Sequence, residues 1–134
     1  MNRRGRKAVR QEIGMLFQGS ALFDSMTVAE NVMFPLRMFS DATEAEMRDR
    51  AAFCLERVEL THATDKFPSE LSGGMQKRVG IARAIAMNPK YLFCDEPNSG
   101  LDPQTAIVID NLIGDLTREF NMTTVVVSHD TVSY

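Results

Sequence analysis

Residues 90–94 form an almost continuous apolar run that ends abruptly in two adjacent carboxylates, Asp95 and Glu96. Such a run suits a strand covered on both faces in a parallel sheet. A helix start follows, with Asp102 placed to cap and Pro103 at the first helical position. Ala106, Ile109, Leu112, Ile113 and Leu116 recur at helical spacing behind it and are expected to face inward. Residues 123–127, rich in β-branched side chains, then read as a second buried strand leading into Ser128, His129 and Asp130. An earlier short apolar segment, residues 13–17, reads as a third buried strand and ends at the turn Gln18-Gly19-Ser20. Strands alternating with helices through short links predict an α/β fold built on a parallel sheet.

Between the first strand and residue 72 the pattern changes. Thr27 with Glu30, and Thr43 with Glu46, are capping boxes that each open a helix. The first carries Val28 and Val32 and is expected to stop near Pro35, because proline disfavours helix in the residue before it. The second carries Met47, Ala51, Cys54, Leu55 and Val58 as one apolar stripe. Residues 19–71 therefore read as a helical insertion within the α/β pattern. A further helix is expected from Ser72 toward Met87, ahead of Pro89. At 134 residues the chain is one domain by length. Cys54 and Cys94 lie in apolar segments without metal-ligand spacing, as buried, reduced thiols of a cytosolic protein would. A net charge of -3 gives no global drive toward nucleic acid, and no nucleic-acid partner is expected. The basic start, residues 1–7, is followed by no apolar signal region, and no apolar run is long enough to cross a bilayer.

In open parallel sheets ligands bind at the carboxyl ends of strands. Gln18, the pair Asp95-Glu96 and His129 all fall at such ends. Asp95 suits Mg²⁺ held largely through water, and Glu96, one residue on, suits a general base toward an attacking water. Ser72-Gly73-Gly74 opens a helix, where free N–H groups and the helix dipole attract phosphate. Each feature also has a plainer explanation. Ser72 and Asp102 are good helix caps, Gln18 is a reasonable turn residue, His129 can be a surface histidine, and two acids can sit in a solvated loop. No Gly-x-x-x-x-Gly-Lys-Ser/Thr phosphate loop occurs in the sequence.

Taken in order, these residues resemble the motifs of the ATP-binding cassette (ABC) ATPases. Gln18 is similar to the Q-loop glutamine, Leu71-Ser72-Gly73-Gly74-Met75 to the signature loop, and residues 91–96 to the Walker B strand with its catalytic glutamate. Ser99-Gly100-Leu101-Asp102 resembles the D-loop, and His129 the switch histidine. The resemblance implies a P-loop NTPase-like ABC cassette with a helical subdomain at about residues 19–71. Residues 72–134 would then hold the signature helix, Walker B, D-loop and switch histidine.

ATP and Mg²⁺ are the implied cofactors. Asp95 and Gln18 would hold the metal, Glu96 would act as base, and His129 would hold the γ-phosphate. Ser72, Gly73 and Gly74 would contact nucleotide bound by a second cassette in a head-to-tail dimer, with Asp102 crossing that interface. Transmembrane permease subunits are the other implied partners, placing the chain peripherally at the cytoplasmic membrane face. Residues 17–28 and 96–103 are similar to the Mla branch of lipid-trafficking ABC systems, which implies phospholipid cargo and a lipid-binding carrier. The cassette is expected to be incomplete at both ends, and this polypeptide alone inactive, for want of the phosphate loop. Two other functions stay open: a non-catalytic fragment that binds a permease or a full cassette, and a non-transport ABC ATPase.

Overall fold

The computed structural model describes residues 12–17 and 19–128. In chain order the elements are β1 (Ile13–Leu16), α1 (Val28–Phe39), α2 (Glu44–Arg57), two single 3₁₀ turns (Thr61–Ala63 and Pro68–Glu70), α3 (Gly73–Ile85), β2 (Tyr91–Asp95), α4 (Pro103–Glu119) and β3 (Thr123–Val127). The strands form one sheet in the order β1-β2-β3. Both pairings are parallel, with Leu16 opposite Cys94 and Cys94 opposite Val126. All three strands thus end on the same edge.

The helices start where local chemistry says they should. Thr27 Oγ1 accepts from the Glu30 N–H at 3.2 Å while Glu30 Oε1 accepts from the Thr27 N–H at 2.9 Å. Thr43 and Glu46 repeat the arrangement at 3.2 and 2.8 Å. Each such cap contributes about 1 kcal/mol. The stripe Met47, Ala51, Cys54, Leu55 and Val58 is buried as its spacing predicts. The end of α3 is closed from outside: Arg50 donates to the carbonyls of Ile85 and Ala86 and to Asn88 Oδ1. Those carbonyls have no partner within the helix.

Two expectations fail, each for a physical reason. Helix α1 does not stop near Pro35 but runs to Phe39 with Pro35 inside it. Proline removes one backbone bond, yet Val32, Met33 and Leu36 are buried on the same helix and Ser40 closes its end by bonding the Leu36 carbonyl through both N–H and Oγ. Burial of each large apolar side chain stabilises by roughly 1.5–3 kcal/mol, enough to outweigh the lost bond. Nor, among the described residues, are the strands covered on both faces. Leu16, Leu92 and Cys94 are buried under the helices, whereas Ile13, Met15, Tyr91 and Val125 on the opposite face are 42–51% exposed. The described helices pack a single core on one side of the sheet. At the outer strand β3 even Val126, in register with Cys94, is 53% exposed.

Helix α3 approaches β1 at backbone distance. A Cβ on Gly14 would collide with the Ala84 carbonyl, and one on Gly80 would lie 2.8 Å from Leu16 Cδ1. We expect Gly14→Ala to lower stability by about 1–3 kcal/mol, because neither backbone can yield cheaply. A reduced urea midpoint at an unchanged m-value is the expected result.

Candidate nucleotide site

Asp95 closes β2 opposite Val127, and the Glu96 N–H donates to the Val127 carbonyl at 2.8 Å. This last bond ties the residue after β2 to the end of β3. Glu96 adopts φ +45°, a left-handed conformation that L-residues avoid. Its carbonyl accepts from the Ser99 N–H at 3.0 Å, so the chain turns sharply through Pro97 and Asn98. Both acids are half-buried. Gln18 and His129 lie outside the described residues, so the sheet's end supplies two of the four strand-end candidates.

The other candidates sit at the starts of two helices. Ser72 is exposed and caps α3, its Oγ accepting from the Met75 N–H at 3.2 Å. The N–H groups of Gly73 and Gly74, in the first turn, have no acceptor within the helix. Asp102 caps α4, accepting from the Thr105 hydroxyl at 2.6 Å and the Thr105 N–H at 3.1 Å. These bonds hold its carboxyl below the usual carboxylate range. The two helix starts touch, since a Cβ on Gly74 would lie 2.8 Å from Thr105 Cγ2 and one on Gly73 3.7 Å from Leu101 Cδ2. Capping accounts for the bonds that Ser72 and Asp102 make; it does not account for two glycines presenting bare backbone beside a second helix start.

Lys77 escapes a motif-based reading. It is only 4% exposed, on the α3 stripe that continues through Ile81 and Ile85. Burial pulls its pKa down, while Asp95, Glu96 and the Cys94 thiol pull it back up. A cation at a core-facing position is the one trace of this in the sequence. The charge of the acidic pair is thus partly balanced from α3. Among the described residues no group of three or more His, Cys, Asp or Glu could hold a metal. Asp95 has the ligand chemistry of Mg²⁺, which takes one or two carboxylates and completes its shell with water and phosphate oxygens.

Comparison with known proteins bears on this arrangement. A family model described as ABC transporter matches residues 1–99. The chain belongs to the ABC transporter family. It is 48% identical over 126 residues to a methionine import ATP-binding protein, MetN, of Caulobacter vibrioides, and 45% identical over 130 residues to MetN of Xanthomonas axonopodis. These alignments cover 94% and 97% of this chain but 38% of each relative. The solved structure of CbiO1 from Clostridium perfringens, part of the ABC transporter complex CbiONQ, matches with a TM-score of 0.83 and 35% identity. The dimeric ATP-binding cassette MJ0796 with ADP and phosphate matches with 0.79 and 40%. These two cover 96% and 93% of this chain, and 51% and 55% of theirs. The fold is that of the ABC cassette, with its parallel sheet and helices. No described helix is long and apolar enough to cross a membrane.

Both cysteines are buried, and burial pushes each thiol from 9.0 up to about 11. The folded state thus keeps these protons more tightly than the unfolded chain does. Stability from this source is complete below about pH 9 and is lost as pH rises toward about 11. Urea midpoints measured across that range are expected to fall, and less steeply in a Cys54→Ala/Cys94→Ala variant.

Proposed function

We propose that this chain supplies the signature-bearing part of an ATP site in an ABC transporter. The arrangement that supports the reading is the exposed start of α3, Ser72-Gly73-Gly74, in the same fold as a half-buried Asp95-Glu96 pair at a strand end. Ser72, Gly73 and Gly74 face outward to meet the γ-phosphate of a nucleotide held by a second cassette, with Asp102 at that interface. In the chain's own site Asp95 holds Mg²⁺ through water and Glu96 takes the proton of the attacking water. Gln18 and His129 complete it, the first toward metal and water, the second toward the γ-phosphate. Bound Mg²⁺ would neutralise charge on the phosphates.

Docking to transmembrane permease subunits falls to the helical region at residues 19–71. Through them the chain sits at the cytoplasmic membrane face. For the cargo, the printed names of the MetN relatives support methionine import. The phospholipid cargo and lipid-binding carrier expected from residues 17–28 and 96–103 find no support in these relatives. Uptake of labelled methionine against phospholipid transfer between vesicles, in the assembled transporter, separates the two.

The 134-residue polypeptide alone is expected to turn over ATP negligibly, since it contains no phosphate-loop sequence. Mixed with a relative's cassette that keeps its phosphate loop but has lost its signature serine, it should restore turnover. Ser72→Arg should abolish that rescue; absence of rescue by the unaltered chain would sink the composite-site reading. When the chain is joined to a relative's phosphate-loop segment, Glu96→Gln should lower kcat by about 10²–10⁴ with little change in nucleotide affinity.

A further inference from the structure

Helix α3 runs against the direction of β1, and two close contacts fix its position along the sheet. Gly80 meets Leu16, and Ala84 meets Gly14. Four helical residues rise about 6 Å, and two strand residues advance about 6.6 Å. Helix and strand therefore keep step between these points. Arg83 holds the alignment from the side, its guanidinium donating to the Ala21 carbonyl at 2.9 Å and to the Ser20 carbonyl.

Lys77 precedes Gly80 by three residues, or about 4.5 Å along the helix axis. That carries it roughly one and a half strand residues past the level of Leu16. Leu16 is in register with Cys94, so Lys77 comes level with Asp95 and Glu96. It shares an inward stripe with Ile81 and Ala84 and is itself 4% exposed. The Asp95 Oδ1 atom is buried too. Burial depresses the pKa of the Lys77 ammonium, and Asp95 and then Glu96 are the groups that most counteract it. A buried charge is costly without an opposite charge at hand, and the end of β2 is where the fold provides one.

We propose that Lys77 is a positioning residue of the nucleotide site, an internal counter-charge that sets how tightly the Asp95-Glu96 pair takes a divalent cation. This assignment deepens the ATP reading above and rests on it for the identity of the metal, Mg²⁺. Two adjacent carboxylates repel each other and attract a divalent cation; an ammonium beside them weakens both effects. Enclosed on a helix packed at backbone distance, the ammonium stays near the pair, so it repels any metal that the pair binds. Phosphate oxygens bring the negative charge that offsets this repulsion. Lys77 thus keeps the acidic pair from holding metal tightly on its own and couples tight metal binding to the presence of a phosphate chain.

Mn²⁺ alone, without nucleotide, is the probe, and the full chain labelled with ¹³C at lysine Cε is the reporter. The sequence holds four lysines, Lys7, Lys66, Lys77 and Lys90. In the unaltered chain the Lys77 signal is expected to broaden at lower Mn²⁺ concentration than those of Lys66 and Lys90. Lys77→Met fills similar space without charge and should bind Mn²⁺ at least tenfold tighter, read by water-proton relaxation. Lys77→Arg keeps the cation and should keep the unaltered affinity. In an Asp95→Asn background the Lys77→Met change should have no effect, which ties the gain to the acidic pair. A lysine that only fills space predicts the reverse, with Met silent and Arg disturbed. Unchanged Mn²⁺ affinity in Lys77→Met, Mn²⁺ binding by none of the variants, or broadening of Lys66 or Lys90 ahead of Lys77 would overturn the proposal. If Lys77→Met unfolds the chain, the lysine signals of the unaltered protein still decide. Neither nucleotide nor a second cassette enters these measurements, so their failure leaves the composite site to the Ser72 rescue experiment, and failure of that rescue leaves the role of Lys77 standing.

Discussion

The contact between α3 and β1 organises the molecule. At Gly14 the strand meets the Ala84 carbonyl with no side chain between them, and at Gly80 the helix meets Leu16 and Ser20. Few sites pack so closely, and they leave little freedom of position. Because α3 is capped by Ser72 and β1 ends shortly before the loop at Ser20 and Ala21, this one approach relates two parts of the molecule. The bare glycine amides look outward from one end of the helix, and Arg83 grips the loop from the other. Lys77, between them, turns its charge toward the end of β2.

A polar frame holds what the core cannot reach. Asn31 is fully buried and satisfied by the loop before α1: its side chain accepts from the Phe23 N–H and donates to the carbonyls of Phe23, Met26 and Thr27. Truncating Asn31 would take this partner from the Phe23 N–H and from the loop carbonyls, costing about 1–3 kcal/mol. Arg50 does similar work at the far end of α3, bonding terminal carbonyls while stacking over Phe53 at 5.1 Å. The loops around the candidate surfaces are therefore fixed by specific bonds rather than by bulk hydrophobicity.

What could be read from residues alone was whatever depends on neighbours in sequence. Thr27 with Glu30, Thr43 with Glu46 and Asp102 with Pro103 announce their helices because capping needs only a few consecutive residues. The parallel sheet was legible from strand and helix alternation, and the acidic pair from its place after an apolar run. Pro35 misled because a single residue's preference yields to the burial of its helix. The open sheet face was not legible, since an apolar residue in a strand does not say which face is covered. Arg83 and Lys77 were invisible as actors; their partners lie distant in sequence, and only folding brings them together. For Gln18 and His129 the motif likeness remains the whole of the argument.

Glu96 sits in a backbone shape better suited to glycine or asparagine, and single residues held there cost about 1 kcal/mol or more. Selection for sturdiness alone would push this position toward a smaller, more permissive residue. If Glu96 is the base proposed above, selection for turnover would keep the acid. The two pressures oppose each other at one peptide unit, so a drift away from glutamate here would trade chemistry for robustness and mark a lineage in which the cassette had become a scaffold.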